Sequence, residues 1–263
     1  MARILVINPN TTVGMTDKIA DAARRVASPG NEIVARTSPA GPLSIEGYFD
    51  EATSLHGLLQ CIHDNPHVDA VVIACFDDTG LDAARCLTDK PVIGIGEAAY
   101  KMVSLLCNKF SVVTTLARSV PALEHNLRRY GLDRQCVKVR SSEVAVLDLE
   151  HADAAACGKI ENEIRLAIQE DKAEAIVLGC AGMADLALSL SNKFALPVVD
   201  GLACAVAMAQ SAAQLGLKTS RLGGYAPPPA HKLRHIFAQA PLAAPGSHVA
   251  ETIRASEHLV ERA

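Results

Sequence analysis

Two cysteines stand in matching surroundings. Cys75 closes the run VVIAC and Cys180 closes IVLGC. Each apolar, β-branched run reads as a strand, and each cysteine stands between it and a stretch of helical character. A thiol at a helix N-terminus meets free backbone N–H groups and the positive end of the dipole, which lower its pKa. The unperturbed value of about 8.5 already lets thiol and thiolate coexist near neutrality. Two such groups on opposite walls of a cleft can move a proton on and off one carbon: one removes it from one face, and the other delivers it to the second face. Such transfer typically contributes about 10²–10⁴-fold, and preorganised N–H donors stabilise the oxyanion that develops on a neighbouring carbonyl. The reacting carbon must therefore lie beside a carbonyl. A lone strand-end cysteine is ordinarily a small buried hydrophobe. Cys61, Cys86, Cys107, Cys136, Cys157 and Cys204 are read that way, because none has a matched partner.

The matching extends beyond the cysteines. ILVINPNTT from Ile4 resembles FSVVTTLAR from Phe110, and PVIGIGEAA from Pro91 resembles PVVDGLACA from Pro197. The three pairs are separated by almost the same number of residues, which marks a duplicated domain rather than a solenoid repeat. Strands are expected at Ile4–Asn8, Glu32–Ala35, Ala70–Ala74, Val92–Ile93, Phe110–Thr114, Val137–Val139, Ala175–Gly179 and Val198–Val199. Amphipathic segments separate them, as at Thr16–Ala27, Leu81–Leu87, Ala154–Glu170 and Leu202–Leu215. This alternation predicts an α/β fold with parallel sheets, in which ligands bind outside the carboxyl ends of the strands. The expected organisation is a first domain of residues 1–99 plus 201–225, a second of residues 100–200, and a peripheral tail of residues 226–263. The tail opens on the helix-stopping APPPAHK and carries a weak helical pattern near Val249–Val260.

Other groups reach the same edge. Asn8, Pro9, Asn10 and Thr11 follow the first strand, and Thr114, Thr115 and Arg118 follow its mate. They can contact ligand or simply cap helices. Asp77 and Asp78 can cap the helix after Cys75, and a carboxylate beside a thiolate opposes its ionisation. The loop GPLSIEGYFD, with Ile45 and Tyr48, is a lid or a connector. Asn8, Pro9, Ile45, Phe76, Asp77, Thr114, Thr115, Ala181 and Gly182 are the candidate substrate-binding residues around the catalytic candidates Cys75 and Cys180.

No cofactor is expected. GIGEAA lacks the third glycine of a dinucleotide fingerprint, and no P-loop, GxSxG elbow or pyridoxal-phosphate lysine pattern occurs. There is no CxxC, and Cys61 with His63 has no second pair, so no metal is expected. The net charge of −4 comes without a basic block, against a nucleic-acid surface. No apolar run approaches the roughly 20 residues that span a bilayer. MARILVINPN lacks the features of a signal peptide, so a cytoplasmic protein is expected. Ala-rich helices point to a homo-oligomer.

At these residues the sequence resembles the Asp/Glu/hydantoin racemase superfamily, and within it the hydantoin racemase branch. INPNTT at Ile7, SIEGYFDEA at Ser44, VIACFDDTGLDAAR at Val72, FSVVTTLARSVP at Phe110, AIVLGCAGMADLA at Ala175, PVVDG at Pro197 and LGLKTSR at Leu215 carry the likeness. It covers roughly Arg3 to Pro229. It implies two similar Rossmann- or flavodoxin-like domains related by pseudo-twofold symmetry, with the site in the cleft between them. It further implies a cofactor-free racemase with Cys75 and Cys180 as the acid/base pair. Amino-acid racemases of the superfamily usually read C-N-T and C-T-H at the two cysteines. Here the residues are Cys75-Phe76-Asp77 and Cys180-Ala181-Gly182, which favours a neutral ring such as a 5-substituted hydantoin. The resemblance leaves allantoin, itself such a hydantoin, as the alternative substrate, followed by amino-acid racemisation or decarboxylation. Outside catalysis, two lobes around a cleft would also serve a ligand-binding module, which needs neither cysteine.

Overall fold

The structure is a computed structural model, and it describes residues 1–149 and 153–238. The chain divides into two units, Met1–Pro227 and Pro228–Ala263. Within the second, Pro229 leads into a short helix, α9 (Ala230–Phe237). The helical pattern expected near Val249–Val260 lies outside the described residues.

Among its described residues the first unit holds eight strands: β1 (Arg3–Asn8), β2 (Glu32–Thr37), β3 (Ala70–Ile73), β4 (Val92–Gly94), β5 (Phe110–Thr114), β6 (Cys136–Ser141), β7 (Ala175–Leu178) and β8 (Val198–Asp200). They form two parallel sheets of the same order, β2-β1-β3-β4 and β6-β5-β7-β8. All eight sequence-expected strands are present, in the expected α/β class. The helices are α1 (Val13–Val26), α2 (Tyr48–His63), α3 (Leu81–Leu87), α4 (Ile95–Val103), α5 (Val120–Tyr130), α6 (Ala154–Leu166), α7 (Ala187–Phe194) and α8 (Gly201–Gln214).

Successive strand residues point to opposite faces, and here both faces are covered. Ile4 and Val6 of β1 join one core cluster, while Leu5 and Ile7 join another with Leu58 and Ile62 of α2. Likewise Val177 faces inward, whereas Ile176 and Leu178 meet Ile160 and Ile164 of α6. Central strands are thus apolar throughout, while the edge strands β2 and β6 carry exposed polar residues. The inner cluster spans both sheets, with Ile95 and Tyr100 of α4 and Leu202 and Val206 of α8 between Val72 and Val112. The two helices approach closely because Gly201 has no side chain: a Cβ there would overlap the carbonyl of Ile95.

The start of α4 is fixed from a distance. Gly94 occupies its N-cap position and offers no side-chain oxygen. The Asp78 carboxylate takes that role, accepting from the N–H groups of Gly96 (2.9 Å) and Glu97 (2.7 Å) and from the Tyr130 hydroxyl of α5 (2.7 Å). A Cβ on Gly94 would overlap that carboxylate. In the second half Asp200 caps α8 directly, at 3.0 Å from Leu202 N and 2.9 Å from Ala203 N. The expectation that Asp77 and Asp78 cap the next helix is therefore corrected. Gly80 stands at the N-cap of α3 without a side-chain bond, Asp77 accepts from Thr79 N (3.0 Å) to close its own turn, and Asp78 caps α4. The same observation explains G-x-G in GIGEAA, whose glycines make room for a carboxylate.

Asp78→Ala would leave two backbone donors and one hydroxyl without a partner in the core. At about 1–3 kcal/mol for each unsatisfied group, the expected loss is at least about 3 kcal/mol in urea unfolding. Asp78→Asn keeps an acceptor oxygen and should lose less. Equal stabilities of all three proteins would contradict this account of α4.

Candidate active site

In each sheet the chain runs from the central strand to one edge, then returns to the other side. That reversal opens a crevice at the carboxyl ends of the central strands. Asn8 ends β1, Cys75 follows β3, Thr114 ends β5 and Cys180 follows β7; all four line one pocket. It encloses about 480 Å³ of empty space, counting the part open to solvent. Its walls are largely apolar, with Met15, Ile45, Phe76, Leu123, Val146 and Ala181. The polar lining is Asn8, Asn10, Asp77, Thr114, Thr115, Ser119 and the two thiols. Among the described residues no lysine, arginine or histidine lines it.

The loop after Cys75 is clamped from the second half. Asn126 of α5 donates to the Asp77 carbonyl at 2.6 Å, and Tyr130 donates to Asp78. Phe76 is buried, edge-on to Tyr100 at 5.3 Å, and Tyr100 in turn packs against Phe110 and Tyr130. On the other wall the clamp comes from the first half. Lys18 of α1 donates to the Leu149 carbonyl at 2.7 Å, and Arg25 of α1 pairs with Asp185. Each half thus holds the cysteine loop of the other.

Cys180 stands at the N-cap of a 3₁₀ turn, Ala181–Leu186. Cys75 does not have the expected helix N-terminus, because a turn separates it from α3. Both cysteines are half-buried in the pocket lining, yet neither thiol is shifted down. Burial pushes Cys180 up to about 11, against the Gly182 N–H and the Lys18 charge, with Asp77 and Glu46 adding to the rise. Cys75 is pushed well above the ordinary range by burial, and then by the charge and hydrogen bond of Asp77. Desolvation of the thiolate outweighs the backbone donors.

Ile45 reaches the pocket on a strap rather than a free loop. Thr11 N donates to Pro42 O at 2.9 Å and the Thr12 hydroxyl to Leu43 O at 2.7 Å. From the second half, the Ser119 hydroxyl donates to Glu46 O at 2.9 Å and Val146 N to Glu46 Oε1 at 3.1 Å. Tyr48 onward belongs to α2, so only residues 41–47 are strap.

Of the sequence candidates, Pro9 and Gly182 do not line the pocket. Pro9 lies between Asn8 and Asn10, which do, and Gly182 instead offers its N–H to Cys180 and packs on Leu149. The Asn8 amide is spent on order, donating to Asn10 Oδ1 (2.7 Å) and Thr16 Oγ1 (3.1 Å). Thr114 donates to Gly179 O at 2.9 Å, close enough that a Cβ on Gly179 would crowd it. Sequence reasoning passed over Ala74 and Gly179 as lining residues, although the repeat pairs these small residues just ahead of the two cysteines. Met15, Leu123 and Val146 carried no such signal, since helix and loop packing bring them in.

A family model described as Asp/Glu/Hydantoin racemase matches residues 4–209. This chain belongs to the Asp/Glu/hydantoin racemase family. The racemase is 44% identical over 225 residues to a hydantoin racemase from Pseudomonas sp. (strain NS671), covering 85% of this chain and 90% of that one. It is 40% identical over 230 residues to a hydantoin racemase from Paenarthrobacter aurescens, with 86% and 97% covered. An allantoin racemase from Klebsiella pneumoniae matches its structure with a TM-score of 0.84 at 46% identity, over 87% of this chain and 94% of that one. The racemase is accordingly an isomerase. Among its described residues no group of three or more His, Cys, Asp or Glu is arranged to hold a metal, and Cys61 is buried with its thiol toward Thr37 O.

Proposed function

We propose that this racemase interconverts the enantiomers of 5-monosubstituted hydantoins, a class that contains allantoin, by proton transfer at C5 between Cys75 and Cys180. The observation that carries the reading is a pocket with two thiols and, among the described residues, no cationic side chain in its lining. An amino-acid carboxylate would be desolvated there with no cationic side chain among the described lining residues to pair with it, at a cost of several kcal/mol. A neutral ring needs only dipolar partners, which Thr115, Asn10 and Ser119 in the lining offer beside an apolar wall. The ring brings its own carbonyl beside C5, so removal of the proton gives an enolate without a cofactor. One thiolate takes the C5 proton and becomes a thiol; the opposite thiol gives its proton to the other face and becomes a thiolate.

The same reading keeps the expected organisation of two domains, residues 1–99 with 201–225 and residues 100–200, each supplying one cysteine. Eight free cysteines fit a reducing compartment, in line with a cytoplasmic enzyme. Exposed Phe49, Leu105 and Leu188 favour a homo-oligomer. Sedimentation at micromolar concentration should give a species heavier than the 27.7 kDa chain, and a monomer would refute self-association.

The substrate test is loss of optical rotation from single enantiomers of allantoin, 5-alkyl and 5-benzyl hydantoins, aspartate and glutamate. The hydantoins should racemise, before and after dialysis against a chelator, while the amino acids should not. Turnover of glutamate with inert hydantoins would overturn the proposal.

The raised thiols fix the pH dependence. Below the Cys180 value of about 11, the thiolate fraction grows about tenfold per pH unit, so kcat/KM should rise with a slope near one from about pH 7 to 9. A profile flat over that range would show that the base is already ionised, against a buried thiol.

A further inference from the structure

The motif LGLKTSR follows α8, and among the described residues none of its members lines the pocket. Its polar side chains are spent on α3 and the turn after it. Arg221 reaches the end of α3, where Nη1 donates to the carbonyls of Thr88 (2.7 Å) and Arg85 (3.2 Å) and Nη2 to that of Cys86 (3.0 Å). Thr219 N donates to Asp89 O at 2.9 Å, the Thr219 hydroxyl to Lys90 O at 2.6 Å, and Lys218 Nζ to Asp89 Oδ2 at 2.8 Å. Further on, the Cys86 thiol donates to Gly224 O at 3.2 Å, and the Tyr225 hydroxyl donates to Asp82 Oδ1, in the first turn of α3, at 3.0 Å. Residues 218–225 thus form a clasp over both ends of this helix.

The helix needs an outside support. It is two turns long, Gly80 at its N-cap makes no side-chain bond, and Thr88 at its C-cap is extended (φ −127°). Its last carbonyls therefore have no left-handed turn to bind them. In the second half, α7 ends on Ala195 in the left-handed conformation (φ 54°). At α3 a guanidinium supplies the missing donors, and its charge suits the negative end of the helix. Two nitrogens of one planar fork serve three carbonyls, which an ammonium cannot copy.

The helix in turn supports the loop of Cys75. Leu81 N donates to Asp78 O and Asp78 N to Cys75 O, both at 3.1 Å, so hydrogen-bonded turns join the cysteine to the helix. On its flank, Arg85 donates to Val92 O at 3.1 Å and pairs with Glu97 of α4 at 2.6 Å. Asp82 pairs with Arg129 of α5, in the second half. A shift of α3 is therefore a shift of the Cys75 loop against the opposite wall.

We propose that Arg221 is a positioning residue for Cys75: by capping α3 from the segment beyond α8, it sets the loop that presents the thiol to the substrate carbon. The inference rests on the assignment of Cys75 and Cys180 as the acid/base pair. Arg221 acts through the helix and touches no substrate, so its loss misplaces one thiol and leaves the pocket walls in place.

The test compares the native protein with Arg221→Ala and Arg221→Lys, each checked for folding by circular dichroism. In Arg221→Ala, kcat for a 5-substituted hydantoin should fall at least about tenfold, since a misplacement of about 1 Å can cost about 10²-fold. KM should stay within about twofold, because the walls that bind the ring are unchanged. Arg221→Lys keeps the charge and should lose less; should the alanine variant not fold, the lysine variant alone decides. Iodoacetamide labelling, located by mass spectrometry, separates positioning from local support. Cys86 should label faster in both variants as the clasp opens. The Cys75 rate should change by at least about threefold with access to its thiol, while the Cys180 rate holds. Faster labelling of Cys86 with native kcat and a native Cys75 rate would overturn the inference, leaving Arg221 a helix cap and nothing more. A rise in KM with unchanged kcat would overturn it too. If saturating hydantoin protects neither Cys75 nor Cys180 in the native protein, the two-cysteine assignment itself fails.

Discussion

The buried carboxylate of Asp78 is the interaction on which the active-site geometry turns. It sits three residues beyond Cys75 and binds three groups from two other segments: two N–H groups at the head of α4 and the hydroxyl of Tyr130 on α5. Burial pushes this carboxyl up to about 7 in spite of those bonds, so the contact is made against a real desolvation penalty. The return is positional. One side chain sets where α4 begins, where α5 lies against the first half, and where the loop carrying Cys75 must run. The glycines at 94 and 96 exist to admit it.

The rest of the architecture follows from that constraint and its counterpart. With α4 fixed, α8 packs beside it through Gly201, and the two helices fill one core between the sheets. The central strands then present their carboxyl ends to a common pocket. Lys18 and Arg25 on α1 hold the Cys180 side as α5 holds the Cys75 side. Chemistry enters where the duplication is imperfect. The halves share strand order and cysteine position, but Asp77 opposes a thiolate at Cys75, while the Gly182 N–H and the Lys18 charge favour one at Cys180. A symmetric scaffold thus bears an asymmetric pair.

Much of this was legible in the residues. The apolar runs ending at Asn8, Cys75, Thr114 and Cys180 gave the strands, and their repetition paired the two cysteines before any coordinates. Both signals are local, since β-branched runs and the turns that stop them are read over a few residues. What was not legible depends on approach between distant segments. The pairing of Asp78 with α4 joins residues far apart in sequence, and nothing nearby marks Asp78 rather than Asp77 as the cap. The starts of α2 and α4 are not marked locally, because their openings, YFDEA and IGEAA, resemble loop and fingerprint residues. The expected lowering of the thiols rested on a helix dipole. The structure instead places Cys75 before a turn and buries both groups, so desolvation dominates.

The central claim is that two thiols work from opposite faces of one carbon, and hydrogen exchange at that carbon tests it most directly. Each enantiomer of a 5-substituted hydantoin is incubated in deuterated water with folded Cys75→Ser or Cys180→Ser, and loss of the C5 proton signal is followed by NMR. A hydroxyl is too weak an acid to replace the base, so racemisation should collapse in both variants. Each remaining thiolate should exchange only the enantiomer whose proton faces it, with opposite preference in the two variants. Racemisation near the native rate by either folded variant would contradict the account.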